Sequence, residues 1–393
     1  MKQTQPRWFL VGMMLIAANL RLPITIIPPL LPSIEKSLNL PSSMAGLITS
    51  IPLVTFAIFS PIIVKLAQRW GNERTVFSLF LLLIIGTYLR IIPTLPALLF
   101  GTFLVGIGID SGNVLVPALI KEHMPYKIRL GTSLYTLSML LVGAIGTAVS
   151  GILISRTSLA ATQAYLGIIS IIAIFAWFPN IRAKRQEPLT DEQRSHIPHF
   201  QSVWRQPLGW LITLFFGLQS LVYYAIITWM PSILAVHGVS TITSSNLLTL
   251  LQISGLPLSF MVPLLFNKRH GVSILLGIMT LGYVVAPLTW LINTNSVPFL
   301  TIVSLVTGLG SGVAFNLAIM FFTEKTTNPY QTAAISGMAQ SAGYLLAAVG
   351  PILFGYLQQF SGSWMPVIWL LVIFATALTT TGIIVQKRGM IKN

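Results

Sequence analysis

The feature that most constrains this chain is a succession of apolar runs, each long enough to cross a lipid bilayer as a helix. Such a helix needs about 20 predominantly apolar residues. Only 8% of the 393 residues are charged, whereas a soluble domain carries about 25%. The sequence therefore predicts an all-α membrane protein with twelve transmembrane helices, at residues 8–31, 44–66, 75–93, 96–120, 130–154, 162–179, 208–230, 243–266, 272–292, 298–322, 332–357 and 365–385.

The distribution of basic residues predicts the orientation of these helices. Nineteen of the 23 lysine and arginine residues fall on the N-terminal side of the predicted membrane. Because an excess of Lys and Arg marks the cytoplasmic side, this side is predicted to face the cytoplasm. Twelve spans also return the chain to its starting side. We therefore expect a multi-pass protein of the inner (cytoplasmic) membrane with both termini in the cytoplasm, and no nucleic-acid partner despite the net charge of +15.

The two halves of the sequence resemble each other. Gly71 follows the second predicted span and Gly271 the eighth, and Gly146 in the fifth span aligns with Gly350 in the eleventh. A polar, charged stretch divides the chain nearly in half. The pattern predicts two pseudo-symmetric six-helix bundles, at residues 1–180 and 208–393, joined by a cytoplasmic linker at 181–207. Rocking transporters are built from such repeats, with the substrate site between them near the membrane midplane.

One loop resembles the signature of a known superfamily. The sequence KLAQRWGNERT, at Lys65–Thr75, is similar to the loop between the second and third spans of the major facilitator superfamily. The resemblance covers the whole chain and implies that Arg69, Gly71 and Arg74 form a cytoplasmic gating loop. Gln68 replaces the acidic residue of the motif, for which Glu73 is an alternative source, and Val64 replaces its leading glycine.

Within that superfamily, four stretches resemble the cyanate/nitroimidazole permease family. They are NLR at 19–21, GNVLVPALIK at 112–121, WMPSILAVHGVS at 229–240, and ISGMAQSAGYLLAAVGPILFGYLQQFSGSW at 335–364. The resemblance implies uptake or exchange of small anionic or polar nitrogen compounds, without fixing the substrate.

Arg21 and Asp110 are the charged residues predicted to lie inside the membrane. An intramembrane charge is costly and is a functional candidate by default. The superfamily resemblance implies that the first and fourth helices line a central cavity, where the two side chains could meet. Arg21 would offer an anion a fixed charge and a planar fork of donors. The alternative is a structural pair in which Arg21 and Asp110 neutralise each other, and Asp110 is also a candidate for proton coupling.

Polar side chains at a similar depth complete the predicted substrate site. Amides and phenols inside a bilayer need partners, which either a substrate cavity or a neighbouring helix supplies. Asn113 and Asn316 are related by the internal repeat, and two Gln–Tyr pairs have a spacing of four residues. The predicted substrate-binding residues are Arg21, Asn19, Asn113, Gln219, Tyr223, Gln252, Asn316, Gln340 and Tyr344.

The remaining sequence features narrow the function classes. The chain has no cysteine, its histidines lie in loops or interfaces, and it shows no nucleotide-binding loop or catalytic triad. We therefore expect no metal site, no cofactor and no enzymatic activity. The prediction is a monomeric secondary active transporter in the lipid bilayer that moves a small anionic or polar nitrogen-containing solute by alternating access, with proton coupling as an option. The alternative is a multidrug/proton antiporter, which Arg21 disfavours because a fixed cation repels cationic drugs.

Overall fold

The computed structural model describes residues 7–182, 202–327 and 329–391. In this part of the chain, twelve helices are long and apolar enough to cross a membrane. This confirms the predicted all-α class and the number of spans. Most of the predicted linker at 181–207 lies outside the described residues, as do the basic residues Lys2 and Lys392.

The chain divides into two compact units. The first unit contains Met1–Leu40 and Leu47–Pro188, and the second contains Pro41–Gly46 and Leu189–Asn393. The predicted bundle boundaries at residues 180 and 208 stay a prediction, and the short segment at 41–46 was not foreseen in the second unit. The helices that precede the linker are α1 (Arg7–Asn19), α2 (Leu22–Thr25), α3 (Ile27–Leu38), α4 (Ser42–Trp70), α5 (Asn72–Leu89), α6 (Leu95–His123), α7 (Ile128–Arg156) and α8 (Leu159–Trp177).

The helices that follow the linker all belong to the second unit. They are α9 (Pro207–Val236), α10 (Thr241–Ser254), α11 (Leu258–Phe266), α12 (Gly271–Thr280), α13 (Ala286–Leu288), α14 (Val297–Glu324), α15 (Pro329–Ser361) and α16 (Met365–Lys387). A π-helical segment, Leu281–Val285, joins α12 to α13. Short 3₁₀ helices lie at Pro125–Lys127, Phe178–Arg182, Val203–Arg205 and Thr289–Leu291.

Prolines interrupt spans that the apolar pattern predicts as continuous. Proline has no N–H and its ring clashes with the carbonyl four residues earlier. Pro23 accordingly separates α1, which ends at Asn19, from α2, and Pro257 separates α10 from α11. The π-helical segment lies just before Pro287, which has no N–H to donate to the preceding turn. The first, eighth and ninth spans are therefore discontinuous, and Arg21 lies at the break of the first.

Repeat-related glycines have equivalent roles in the two units. In the first unit, a methyl group at Gly146 would overlap the side chain of Leu22. In the second unit, a methyl group at Gly350 would lie 2.9 Å from Cγ of Leu221. Because glycine has no side chain, α7 can approach α2 and α15 can approach α9 at close range. The same contact thus recurs inside each unit.

Candidate functional site

Arg21 occupies the irregular backbone between α1 and α2. Its φ and ψ angles are −120° and −35°, and its side chain is partly exposed. A methyl group at Gly143 of α7 would lie 3.2 Å from Cβ and 3.3 Å from Cγ of Arg21. Gly143 therefore leaves the space through which the arginine stem passes.

Hydrogen bonds attach the short helix α2 to α7 beside Arg21. The Thr25 hydroxyl donates to the carbonyl of Gly143 at 2.9 Å. The Thr147 hydroxyl lies 3.1 Å from the carbonyl oxygen of Thr25 and 3.0 Å from that of Gly143, and it donates its one hydrogen to either of them. Inside a membrane these bonds give the broken backbone partners that water cannot provide, so the position of Arg21 is fixed by α7.

Asp110 is a buried acid on α6 whose partner is Ser60 of α4. The Ser60 Oγ lies 2.9 Å from Oδ1 and 3.1 Å from Oδ2 of Asp110. The same hydroxyl lies 2.7 Å from the carbonyl oxygen of Phe56. A hydroxyl has only one hydrogen to donate, so Ser60 bonds either the carboxylate or the carbonyl. The pairing of Asp110 with Arg21 stays a prediction, since the structure gives Ser60 as the carboxylate's partner.

Asn19 faces a different helix from Arg21. Its Nδ2 donates to the carbonyl of Leu15 at 2.8 Å and to that of Ile169, in α8, at 3.4 Å. Asn19 is buried, whereas the Arg21 stem lies against α7. Two residues of one predicted site therefore point to different neighbours.

The repeat-related asparagines contact different elements. Asn113, on α6, accepts a hydrogen bond from the Tyr135 hydroxyl at 3.4 Å. Asn316, on α14, donates to the hydroxyl of Ser259 at 3.3 Å and to the carbonyl of Gly312 at 2.8 Å. Both side chains are partly exposed, and their role in substrate binding stays a prediction.

The other predicted site residues of the second unit lie on α9, α10 and α15. Gln219 is buried and donates to the Ser220 hydroxyl at 2.7 Å, and Gln340 is exposed and donates to Ser336 at 3.0 Å. The rings of Tyr223 and Tyr224 meet edge to face at 5.4 Å.

The ring of Tyr344, on α15, packs edge to face against the ring of Phe216, on α9, with 5.2 Å between the ring centroids. Gln252 lies on α10 with its Nε2 3.5 Å from the Leu248 carbonyl, two residues before that helix ends. Tyr344 is thus placed next to α9, and Gln252 lies near the helix break at Pro257.

The predicted gating loop has one backbone position that requires glycine. Gly71 has a φ of +91°, a conformation that other residues adopt only with strain. Its carbonyl accepts a hydrogen bond from the Thr75 hydroxyl at 2.8 Å. Arg69 and Arg74 are exposed, so their side chains are accessible, and their gating role stays a prediction.

A charged cluster that the sequence reasoning missed lies beside this loop. His123 Nε2 and Glu73 Oε1 share a hydrogen bond of 2.9 Å, and Glu122 completes a group of three potential metal ligands. The ring of Phe9 packs 4.4 Å from that of His123. Glu73 and His123 are 50 residues apart, so no local motif pointed to the pair. The cluster shows that Glu73, the alternative acid of the gating motif, already has a partner inside the first unit.

The sequence model of the Major Facilitator Superfamily matches residues 11–351. The chain belongs to the major facilitator superfamily. It is therefore a transporter and not an enzyme, as predicted, with twelve membrane spans. This transporter is 38% identical to the uncharacterized transporter YycB of Bacillus subtilis over 377 residues, covering 94% of this chain and 91% of YycB.

Two further relatives have names that specify a substrate. The 2-nitroimidazole transporter of Escherichia coli is 35% identical, over 90% of this chain and 89% of its own length. The cyanate transport protein CynX of Escherichia coli is 25% identical, over 91% of both chains. These similarities confirm the predicted resemblance to the cyanate/nitroimidazole permease family.

A solved structure agrees with the fold. The crystal structure of a bacterial homologue of the human lysosomal transporter Spinster, in an inward-facing and occupied conformation, has a TM-score of 0.79. It covers 98% of each chain at 14% sequence identity. At this identity the similarity establishes the fold alone.

Proposed function

We propose that this transporter is a secondary active transporter that moves a small anionic or polar, nitrogen-containing solute across the cytoplasmic membrane by alternating access. The observation that carries the proposal is the placement of Arg21 at the break of the first span. A discontinuous helix inside a membrane is typical of transporter binding sites. The planar guanidinium adds five donors and a permanent charge, which match a small planar or linear anion.

The relatives support this class of solute. Cyanate is a small anion that carries nitrogen, and 2-nitroimidazole is a small planar nitrogen compound with a polar nitro group. Both are named for relatives that align with more than four fifths of this chain. Each offers oxygen or nitrogen acceptors to a guanidinium fork.

Ser60 and Asp110 supply a route for proton coupling in the proposed cycle. When the carboxylate is ionised, the Ser60 hydroxyl donates to it. When Asp110 takes up a proton, the acid donates to Ser60 Oγ, and the Ser60 hydroxyl turns to the carbonyl of Phe56 at 2.7 Å. In either protonation state the carboxyl group keeps one hydrogen bond to Ser60, so a proton can be bound and released without breaking the contact between α6 and α4.

A ligand screen tests the substrate class. Purified protein should show a higher unfolding temperature with cyanate, nitrate, a short carboxylate or 2-nitroimidazole, because a ligand that binds only the folded state stabilises it, by about 2.7 kcal/mol at a hundred times its Kd. The shift should be absent in Arg21→Ala and retained in Arg156→Ala, which removes an exposed arginine of the same unit. Stabilisation by lipophilic cations alone would contradict the proposal and favour the multidrug/proton antiporter.

We also propose that both termini face the cytoplasm. The chain has no native cysteine, so single cysteines can be labelled without background. Thr241→Cys and Asn295→Cys place the thiol at exposed positions on the predicted outer side, and Asn267→Cys places it on the predicted cytoplasmic side. An impermeant maleimide should label the first two in intact cells and the third only after permeabilisation. The reverse pattern would show that the orientation is wrong.

A further inference from the structure

The short helix α2, which follows Arg21, needs hydrogen-bond donors from other parts of the first unit. The last four carbonyls of an α-helix have no partner within the helix, and α2 has only four residues. The Leu22 carbonyl accepts from the N–H of Ile26. The residue four positions after Thr25 is Pro29, which has no N–H to donate. The Thr25 carbonyl therefore depends on another helix, and Thr147 of α7 lies within hydrogen-bond distance of it.

Arg90 gives a second carbonyl of α2 a donor, from the opposite direction in the sequence. Its Nη1 donates to the carbonyl of Pro23 at 3.1 Å, across 67 residues. Arg90 is only 6% exposed, and its Nη2 has no hydrogen-bond partner among the described residues. The ion pair recorded in the described ranges joins His123 to Glu73. In that part of the chain, the guanidinium thus bonds to the broken first span and pairs with no carboxylate.

The Arg90 side chain reaches α2 from a fixed position. Its backbone N–H closes the end of α5 by donating to the Gly86 carbonyl at 3.1 Å. A methyl group at Gly101 of α6 would lie 2.9 Å from Cγ of Arg90, so the arginine stem occupies space that this glycine leaves. A buried charge costs free energy unless it is hydrogen-bonded. The bond to Pro23 therefore stabilises the positions of both Arg90 and α2.

The backbone of Arg21 is directly coupled to the helix that Arg90 holds. The Arg21 carbonyl accepts hydrogen bonds from the N–H groups of Ile24 at 3.1 Å and Thr25 at 3.0 Å. Helix α7 holds α2 through Thr25, and Arg90 holds it through Pro23. Without the bond to Pro23, α2 keeps its attachment to α7 and loses the one to the end of α5. The helix and Arg21 can then shift together.

We propose that Arg90 is a positioning residue for the transport site, which keeps Arg21 in its binding arrangement by holding the carbonyl of Pro23. A binding group must be held within about 0.5 Å of its productive position, and the planar fork of a guanidinium is sensitive to orientation. Arg90 itself does not contact the solute. This inference rests on the proposed function, which places the solute at Arg21.

Binding measurements on Arg90 variants test the proposal, with cyanate and 2-nitroimidazole as probes. Arg90→Met removes the donor and the buried charge at similar side-chain length. We expect it to raise the Kd about tenfold, the size expected when one hydrogen bond from a charged group is lost. Arg90→Lys keeps a cationic donor and should recover part of the affinity. An unchanged Kd in Arg90→Met would overturn the proposal.

Gln163→Leu is the matched control for packing. Gln163 lies on α8, lines the same small cavity as Arg90 and is buried. Neither its Nε2 nor its Oε1 has a partner within the described part of the chain, so it holds no part of the first span there. This variant should bind both probes as the wild type does. A rise in Kd equal to that of Arg90→Met would assign the effect to general packing and contradict the proposal.

Hydrogen exchange without any solute tests the positioning step itself. The amides of Ile24 and Thr25, which donate to the Arg21 carbonyl, should exchange about tenfold faster in Arg90→Met than in the wild type or in Gln163→Leu. Arg90→Lys should show a smaller change in the same direction. Unchanged exchange at these amides would mean that Arg90 does not hold α2. Failure of the wild type to bind either probe would count against the proposed function, whereas exchange reports on Arg90 separately.

Discussion

Replacing Arg21 by alanine is expected to abolish uptake of the anionic substrate while leaving a folded protein in the membrane. Arg21 lies at the break between α1 and α2, where its backbone is held by α7 through Thr25 and Thr147, so the side chain is not needed for that contact. Truncating one member of a desolvated, hydrogen-bonded charge pair costs roughly 2–5 kcal/mol. The affinity for the anion should therefore fall at least thirtyfold. Uptake into vesicles should accordingly drop to about the background level.

A conservative replacement separates the charge of Arg21 from its geometry. Arg21→Lys keeps the positive charge but loses the planar fork that bonds two acceptors at once. Losing one charge-assisted hydrogen bond costs about 1.5–3 kcal/mol, so uptake should weaken by roughly tenfold or more and not disappear. Arg156→Ala, at an exposed site, should transport normally. Wild-type uptake by Arg21→Ala would refute the assignment.

A double variant tests whether Arg21 only neutralises Asp110. Removing one member of a buried ion pair costs about 3–5 kcal/mol, whereas replacing both is often nearly neutral. If Arg21 is structural, Arg21→Ala combined with Asp110→Ala should restore both folding and transport. Because Asp110 is bonded to Ser60, we expect no recovery of transport. Recovery would mean that the anion site is elsewhere.

The twelve spans were predictable because their signal is local. A bilayer sets the length of an apolar run, and each run can be counted without knowing its neighbours. The alignment of Gly146 with Gly350 could also be predicted from the sequence. In the structure Gly146 packs closely against the side chain of Leu22, and Gly350 packs in the same way against that of Leu221. The apolar pattern did not show that Pro23 and Pro257 break their spans, although the loss of an N–H at each proline is a local cause.

The side-chain environments were harder to predict because they depend on which helix faces meet. Asn19 and Arg21 are two residues apart, yet one faces α8 and the other lies against α7. Glu73 and His123 come together across 50 residues. Arg90 follows α5 in the sequence, and the structure buries it against Pro23 of α2, 67 residues away. No spacing rule links such positions when the helix–helix contacts are unknown.

Accumulation of substrate without nucleotide is the second large effect that we expect. In the proposed function, the energy for concentrating a solute comes from an ion or solute gradient. A single elementary charge moving through 100 mV releases about 2.3 kcal/mol, which supports accumulation of roughly fiftyfold. If Asp110 carries the proton, Asp110→Asn should transport substrate down its own gradient and fail to accumulate it in response to a pH gradient.

Flux into proteoliposomes that contain only this protein is the most direct test of secondary transport. Vesicles with an imposed proton or counter-solute gradient, and no nucleotide on either side, should take up labelled cyanate or 2-nitroimidazole above the external concentration. Empty vesicles and vesicles with Arg21→Ala should not. Uptake that requires ATP, or that never exceeds the external concentration under any imposed gradient, would contradict the account.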